Sequence, residues 1–268
     1  MKKIIAITGA NGFIGKHLIA VLKDNFIIHS YGKSIPKNQD ENSTYFTFNL
    51  NDESIPASLE KADVIIHLAH QFQKNENDID CNFNFSGKLS KLQNKRIIFI
   101  SSFAASPPVT QSWYGLSKSK QENLFKNQVV LRPGLVIGNG GLFKNSIDKI
   151  KHSPFIPLVE NGNQNIQYIG INDLVKAIQY FISNNETGIY NIAHPEGITF
   201  RAFVKFVANK KVYFIKTPLI ILKIMANYFP FLGISKDNLI GLQTNKFAET
   251  SMEFDLFERK WKSLDELI

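Results

Sequence analysis

The stretch Ile5–Gly15, IAITGANGFIG, decides how the chain is read. An apolar run ends at Thr8, glycines follow at positions 9, 12 and 15, and a helical pattern of apolar residues begins directly after them. Glycine inside regular structure costs about 0.5–1 kcal/mol relative to alanine, so this spacing points to a tight turn that only glycine can make. A strand running into such a turn, and the turn into a helix, gathers free backbone N–H groups at the positive end of a helix dipole. That is an anion site suited to a pyrophosphate. On this reading Gly9 supplies the turn dihedrals and Gly12 lets the backbone approach the ligand. Gly15 lets the helix pack against the strand, and the amides of Gly12, Phe13 and Ile14 face the anion.

Working outward, short apolar runs alternate with helical patterns. Strands are expected at Lys3–Thr8, Phe26–Tyr31, Tyr45–Phe48, Val64–Leu68, Arg96–Ser101, Val129–Arg132 and Ile189–Ala193. Helices are expected at Gly12–Asp24, Asn84–Leu92, Tyr114–Lys126, Asn172–Ile182 and Phe200–Ala208. Runs such as VIIHLA and RIIFIS are solidly apolar, which a strand needs when helices cover both faces of its sheet. Strand–helix alternation implies right-handed crossovers and a parallel sheet. The expected fold is therefore α/β, a Rossmann-type doubly wound parallel sheet with a smaller, mostly helical C-terminal substrate lobe. The dinucleotide-binding domain takes residues 1–138 and about 166–194. The lobe takes about 139–165, read as loops with a short helix, and 195–268, read as helical with little strand. Ligands of such sheets bind in the crevice at the carboxyl ends of the strands.

The chain has 268 residues, 44% of them apolar and 20% charged, ordinary values for a globular protein. Its single cysteine, Cys81, excludes an internal disulfide framework and a cysteine-based zinc site, and fits a reducing compartment, so the cytoplasm is expected. MKKIIAITGA runs straight into the glycine turn and reads as a first strand rather than a leader. The apolar segment Phe214–Ile234 is broken by Lys216, Pro218, Lys223, Asn227 and Pro230, so it reads as a buried or cleft-lining helix, not a membrane span. The net charge of +8 comes from scattered lysines with no aromatic-interleaved basic motif. Nucleic-acid binding is not expected, while a positive field favours an anionic small molecule. His67 and His70, three apart on a strand, point to opposite faces, and no metal site is expected.

TGANGFIG (8–15) resembles the extended short-chain dehydrogenase/reductases, the group containing NAD-dependent epimerases and dehydratases. Further pieces follow in that family's order: FNLND (48–52), ADVIIHLAH (62–70), NFSGKL (84–89), IFISS (98–102), YGLSK (114–118), LRPGLVIGNG (131–140), YIGINDLVKAI (168–178) and IYNIA (189–193). The resemblance implies a Tyr114–Lys118 pair with a serine, Ser102, as the catalytic set. Spaced four apart, Tyr114 and Lys118 share one helix face. A free phenol titrates near 10, and lowering it by about three units needs roughly 4 kcal/mol, which a neighbouring ammonium and a cationic nicotinamide can supply. Tyr114 then exchanges a proton with the substrate oxygen, Lys118 holds the nicotinamide ribose, and Ser102 hydrogen-bonds the same oxygen. Ser101 is the competing candidate for that hydroxyl.

By the same resemblance Gly9, Asn11, Gly12, Phe13, Ile14, Gly15, Asn49, Leu50, Leu68, Ala69, His70 and Pro133 join Tyr114 and Lys118 in binding the cofactor, His70 through its backbone. Phe103, Arg132 and Asn191 join Ser102 toward the substrate; a buried paired arginine and a turn asparagine are the plainer readings of the last two. After the second strand the chain reads FIIHSYGKS, with no carboxylate for ribose hydroxyls. Ser30 and Lys33 would suit a 2′-phosphate, which favours NADP(H) over NAD(H). Asn49 stands where an aspartate commonly faces adenine. The implied substrate is a nucleotide sugar. Phe103 and Ala104 stand where dehydratase relatives carry an Asp-Glu pair, so dehydration is discounted. Reduction of a 4-keto sugar is the first reading, with 4-epimerisation or a non-catalytic NADP-binding regulator as alternatives. A homodimer through the Tyr114 helix and the helix near Asn84 is possible by the same resemblance, the latter helix looking short.

Overall fold

Successive residues of the apolar runs go to opposite faces, and both faces are covered. Ile5, Ile7, Val64, Ile66, Ile98, Ile100, Val129 and Leu131 lie in one buried cluster. Their neighbours Ala6, Ile65, Ile97, Phe99 and Val130 lie in the other. This period of two, apolar on both sides, is what a strand in the middle of three layers requires.

The computed structural model describes residues 2–72, 77–109, 112–159, 161–218, 220–221, 247–250, 257 and 261–267. In chain order the first strands are β1 (Ile4–Thr8), β2 (Ile27–Gly32), β3 (Ser43–Thr47), β4 (Val64–His67), β5 (Arg96–Ile100) and β6 (Val129–Pro133). They are followed by β7 (Leu135–Ile137), β8 (Phe155–Val159), β9 (Asn165–Ile166) and β10 (Tyr168–Gly170). The last are β11 (Gly188–Ile192), β12 (Ile198–Thr199) and β13 (Tyr213–Thr217). The helices are α1 (Phe13–Leu22), α2 (Ala57–Glu60), α3 (Asn77–Ser90), α4 (Trp113–Glu122), α5 (Gly141–His152), α6 (Ile171–Ser183), α7 (Phe200–Ala208) and α8 (Leu264–Leu267).

The main sheet has seven strands in the order β11-β6-β5-β4-β1-β2-β3, all parallel. These are the seven strands expected from the sequence. α1 and α6 cover one face through Leu18, Leu22, Leu174, Ile178 and Phe181. On the other face Phe85 and Leu89 of α3 pack with Phe125, which follows α4. The strand order reverses between β1 and β4, so the crevice opens at the carboxyl ends of β1, β4 and β5.

Several expectations for the remainder are corrected. α3 begins at Asn77 and is 14 residues long, so it is not short. Residues 139–165 hold α5, 12 residues long, and strand β8 rather than mainly loop. Part of the segment expected to be a helix from Phe214 is β13, paired in parallel with β8; its residues 219 and 222–234 lie outside the described residues. Ile137, Tyr168, Phe203, Val207 and Leu264 form a separate small core. The tail also returns to the main core. Phe257 packs against Tyr180, Phe181 and Trp261 at ring distances of 5.1, 5.7 and 5.5 Å. The Gln167 amide grips the backbone of Ala248, donating to its carbonyl at 2.9 Å and accepting from its N–H at 2.8 Å. Asp173 accepts from the Lys262 N–H at 3.2 Å.

Candidate active site

The glycine turn follows β1 directly. Gly9 has φ +73°, the left-handed region, and a Cβ there would sit 2.9 Å from the Ala69 nitrogen. Backbone conformation and the loop leaving β4 therefore both demand glycine. Gly12 donates its N–H to the Gly9 carbonyl at 2.9 Å and begins α1 with no side-chain cap. The first amides of α1 are thus left for a ligand, which fits a dinucleotide pyrophosphate. A Cβ at Gly15 would lie 2.6 Å from the Ala10 carbonyl oxygen, so Gly15 lets α1 close on the turn itself rather than on the strand. Asn11 donates to the Ser34 carbonyl at 2.6 Å and ties the turn to the loop after β2.

Beneath the turn runs a buried polar chain that the sequence did not reveal. The Ala69 N–H donates to Thr8 Oγ1 at 3.3 Å, Thr8 Oγ1 meets His67 Nδ1 at 2.7 Å, and His67 Nε2 meets Ser86 Oγ at 3.2 Å. Ser86 donates to Gln121 Oε1 at 2.9 Å, and Gln121 Nε2 donates to the carbonyl and hydroxyl of Ser117, each at 3.1 Å. Ser86 has one proton and gives it to Gln121. His67 Nε2 must then be the donor to Ser86, and Nδ1 the acceptor from Thr8. Burial, and then the Lys118 charge, lower the His67 pKa to about 3, so it stays neutral.

β5 ends at Ile100, and the next two serines separate. Ser101 turns inward and donates to Glu122 Oε1 at 2.5 Å. Ser102 caps the 3-10 turn Phe103–Ala105, accepting from the Ala104 N–H at 3.2 Å, and its side chain also hydrogen-bonds Tyr114. Ser112 caps α4 by accepting from the Gly115 N–H at 3.0 Å, which seats Tyr114 in the first turn. Lys118, one turn on, is buried. Its ammonium donates to the Ile100 carbonyl at 2.7 Å and lies 4.7 Å from the Phe99 ring centroid.

The electrostatics differ from the expected lowering of the phenol. In the protein alone burial raises the Tyr114 pKa, offset in part by the Ser102 hydrogen bond. Burial lowers Lys118 to about 7, against the opposing pull of Glu122. His70 is held neutral, its pKa lowered to about 2 by burial and then by Lys118 and His67. Its ring sits edge-on to Tyr114 at 5.0 Å, and Phe72 stacks on Tyr114 at 5.6 Å. His70 therefore meets the site through its side chain, not the backbone alone.

Other candidates are occupied elsewhere. Arg132 is paired with Glu122, donating from Nε at 2.9 Å and Nη2 at 2.6 Å, so the plainer reading describes it. Asn191 donates to the Glu249 carbonyl at 3.1 Å. Asn49 closes its own turn: Oδ1 accepts from the Asn51 N–H at 3.2 Å, and its N–H donates to Asp52 at 2.9 Å. That is the turn role expected of it, and Nδ2 takes no part in these bonds. Ser30 is buried, and its hydroxyl pairs with Ser43 Oγ at 2.7 Å, which removes it as a phosphate ligand. Lys33 is exposed and donates to Gln71 at 3.0 Å. Leu50, Ala69 and Pro133 are buried, while Leu68 and Phe103 are half-buried. Sequence reading missed Glu122, whose place one turn after Lys118 on the same helix face was the available signal. Among the described residues no three metal-ligating side chains come together, and no helix is long and apolar enough to cross a membrane.

Solved structures share the fold. An epimerase, Mth375, from Methanothermobacter thermautotrophicus is 15% identical over 99% of this chain and 90% of its own, with a TM-score of 0.75. A UDP-glucuronic acid 4-epimerase from Bacillus cereus, in complex with UDP-glucuronic acid and NAD, is 17% identical over 98% of this chain and 96% of its own, with a TM-score of 0.74. A UDP-glucose 4-epimerase from Thermotoga maritima with UDP-glucose is 19% identical over 80% of this chain and 86% of its own, with a TM-score of 0.64. No curated protein sequence matches the chain. The sequence model of the NAD dependent epimerase/dehydratase family matches residues 5–193. That span holds the glycine turn, the serine strand end and the Tyr114–Lys118 helix, and the chain belongs to the NAD dependent epimerase/dehydratase family.

Proposed function

We propose that the protein oxidises or reduces C4 of a nucleotide sugar, with Tyr114 exchanging the proton on the C4 oxygen. The observation that carries this is the placement of Tyr114 in the first turn of α4, one turn before the buried Lys118, whose ammonium donates to the Ile100 carbonyl at the end of the strand that delivers Ser102. The nicotinamide dinucleotide, when bound, supplies the hydride donor or acceptor. The glycine turn and the first amides of α1 hold its pyrophosphate. Ser102 steadies the substrate oxygen by hydrogen bonding and Tyr114 gives or takes the proton. Lys118, when protonated, supplies the positive charge that favours the phenolate. Phe103 and Ala104 offer no acid–base pair for dehydration.

Reduction of a 4-keto sugar is the first reading. The loop after β2 carries Lys33 and no acidic residue from Tyr31 to Asn38, which suits NADP(H) exchanged at each turnover. With Ser30 engaged by Ser43, that preference rests on Lys33 alone. The second reading is 4-epimerisation with a retained NAD, favoured by the solved 4-epimerases that share the fold. Both readings place the protein in the cytoplasm, with its soluble nucleotides. Mass identification of the nucleotide released on denaturation, followed by two assays, separates them. Reduction predicts NADPH oxidation with a nucleoside-diphosphate 4-keto-6-deoxyhexose. Epimerisation predicts interconversion of UDP-glucose and UDP-galactose with no added nucleotide. Tyr114→Phe is expected to lower kcat by at least about 100-fold in either case, and a variant retaining full turnover refutes the assignment.

A further inference from the structure

Three rings meet beyond the carboxyl end of β4. His70 contacts Tyr114 edge-on at 5.0 Å and Phe72 at 5.3 Å, and Phe72 stacks on Tyr114 at 5.6 Å. His70 Nδ1 is buried and has no hydrogen-bond partner among the described residues. A buried nitrogen left without a partner is costly to the folded state. The two histidines of this segment thus differ in kind. His67 has both nitrogens bonded within the protein, whereas His70 keeps hydrogen-bonding capacity in reserve beside the Tyr114 ring. A neutral imidazole carries one N–H and one lone pair, so Nδ1 can serve an alcohol oxygen in either direction. The place is suited to a ligand. β4 lies between β1, which delivers the glycine turn, and β5, which delivers Ser102, so His70 stands between the pyrophosphate cradle and the proton-exchanging phenol.

We propose that His70 Nδ1 hydrogen-bonds an alcohol oxygen of the bound ligand next to the oxygen on which Tyr114 acts. This rests on the reading of Tyr114 given above. The alcohol belongs either to the ribose of the dinucleotide or to the hexose, and binding measurements tell them apart. Calorimetric titrations of the full-length protein with NADH, NADPH, UDP-glucose and UDP-galactose are compared for wild type, His70→Phe and His70→Asn. Phenylalanine keeps a ring edge against Tyr114 and removes the nitrogen; asparagine restores a polar group near Nδ1. His70→Phe is expected to weaken one class of ligand roughly 5-fold, dinucleotide if the ribose is the partner and UDP-sugar if the hexose is, with the other class unchanged. His70→Asn is expected to recover most of the loss. Should His70→Phe fail to fold by its melting curve, His70→Leu against His70→Asn makes the same comparison. The inference is overturned if both classes bind His70→Phe as they bind wild type, if His70→Asn is as impaired as His70→Phe, or if wild type binds none of the four. Turnover retained by Tyr114→Phe would remove the functional reading, while the His70 titrations would still decide whether the nitrogen meets a ligand.

Discussion

Burying the Lys118 ammonium lowers its pKa from 10.5 to about 7, so the folded protein holds this proton less tightly than the unfolded chain. Between those values unfolding takes up a proton, and the stability contributed by this site falls as pH drops from 10.5 toward 7. Replacing the buried ammonium by an apolar chain of similar length reverses that cost. Lys118→Met is expected to raise stability at pH 7 by about 1–3 kcal/mol in urea unfolding while abolishing turnover. A variant that is both less stable and fully active would contradict the assignment. His67 gives the complementary acid limb. Its folded pKa of about 3 lies below the ordinary value of 6.5, so its contribution is complete above 6.5 and is lost as pH falls toward 3. Unfolding free energies at pH 4.5 and pH 7 should differ by roughly 2–3 kcal/mol from this residue. His67→Gln should flatten that difference. At this scale the sequence shows the Tyr114–Lys118 spacing because both lie on one helix, but not their surroundings. Glu122 finds Arg132 ten residues on, across a helix-to-strand crossing, and Ser30 finds Ser43 on the next strand. Neither pairing leaves a trace in local spacing.

The elements that were legible are those whose environment is uniform along their length. A strand buried on both faces reads as an unbroken apolar run, as in β1, β4, β5 and β6; the edge strands β3 and β11 are only partly buried and show instead by their aromatic and β-branched residues. β8 and β13 do not, since β8 mixes buried, half-buried and exposed positions and β13 has only half-buried and exposed ones, neither with regular alternation, and their pairing spans more than fifty residues of chain. α5 shows only as the short helix expected within 139–165, because it starts at Gly141 directly after a glycine-rich stretch. α4 shows how an element sets the geometry of the site. Its first turn depends on Ser112 accepting from Gly115, and Tyr114 lies inside that turn. Ser112→Ala should cost about 1 kcal/mol of stability and lower kcat more than it raises KM, because the phenol loses its fixed position. An unchanged kcat would show that the cap holds only the helix. The turn before α1 is more demanding. Gly9→Ala adds a left-handed φ penalty and a contact with the Ala69 backbone, and a loss of roughly 1–3 kcal/mol is expected together with weaker binding of NADH, read by titration.

In the whole molecule the seven-strand sheet and the small second core are not built from consecutive pieces of chain. The tail passes back over α6, where Phe257 joins Tyr180, Phe181 and Trp261 in the main core. Phe257→Ala should therefore unfold the sheet domain more easily, by about 3–5 kcal/mol, and calorimetry should show one transition shifted down; a separate early transition with the main one unmoved would mean that the tail is an independent appendage. Gln167 matters for a different reason. Its amide reads the main chain of residue 248, and a main chain is the same whatever side chain it bears. Such an anchor is indifferent to sequence: the side chain at position 248 can be exchanged in ancestors and descendants of this protein without loosening the grip of Gln167 on the main chain that carries it.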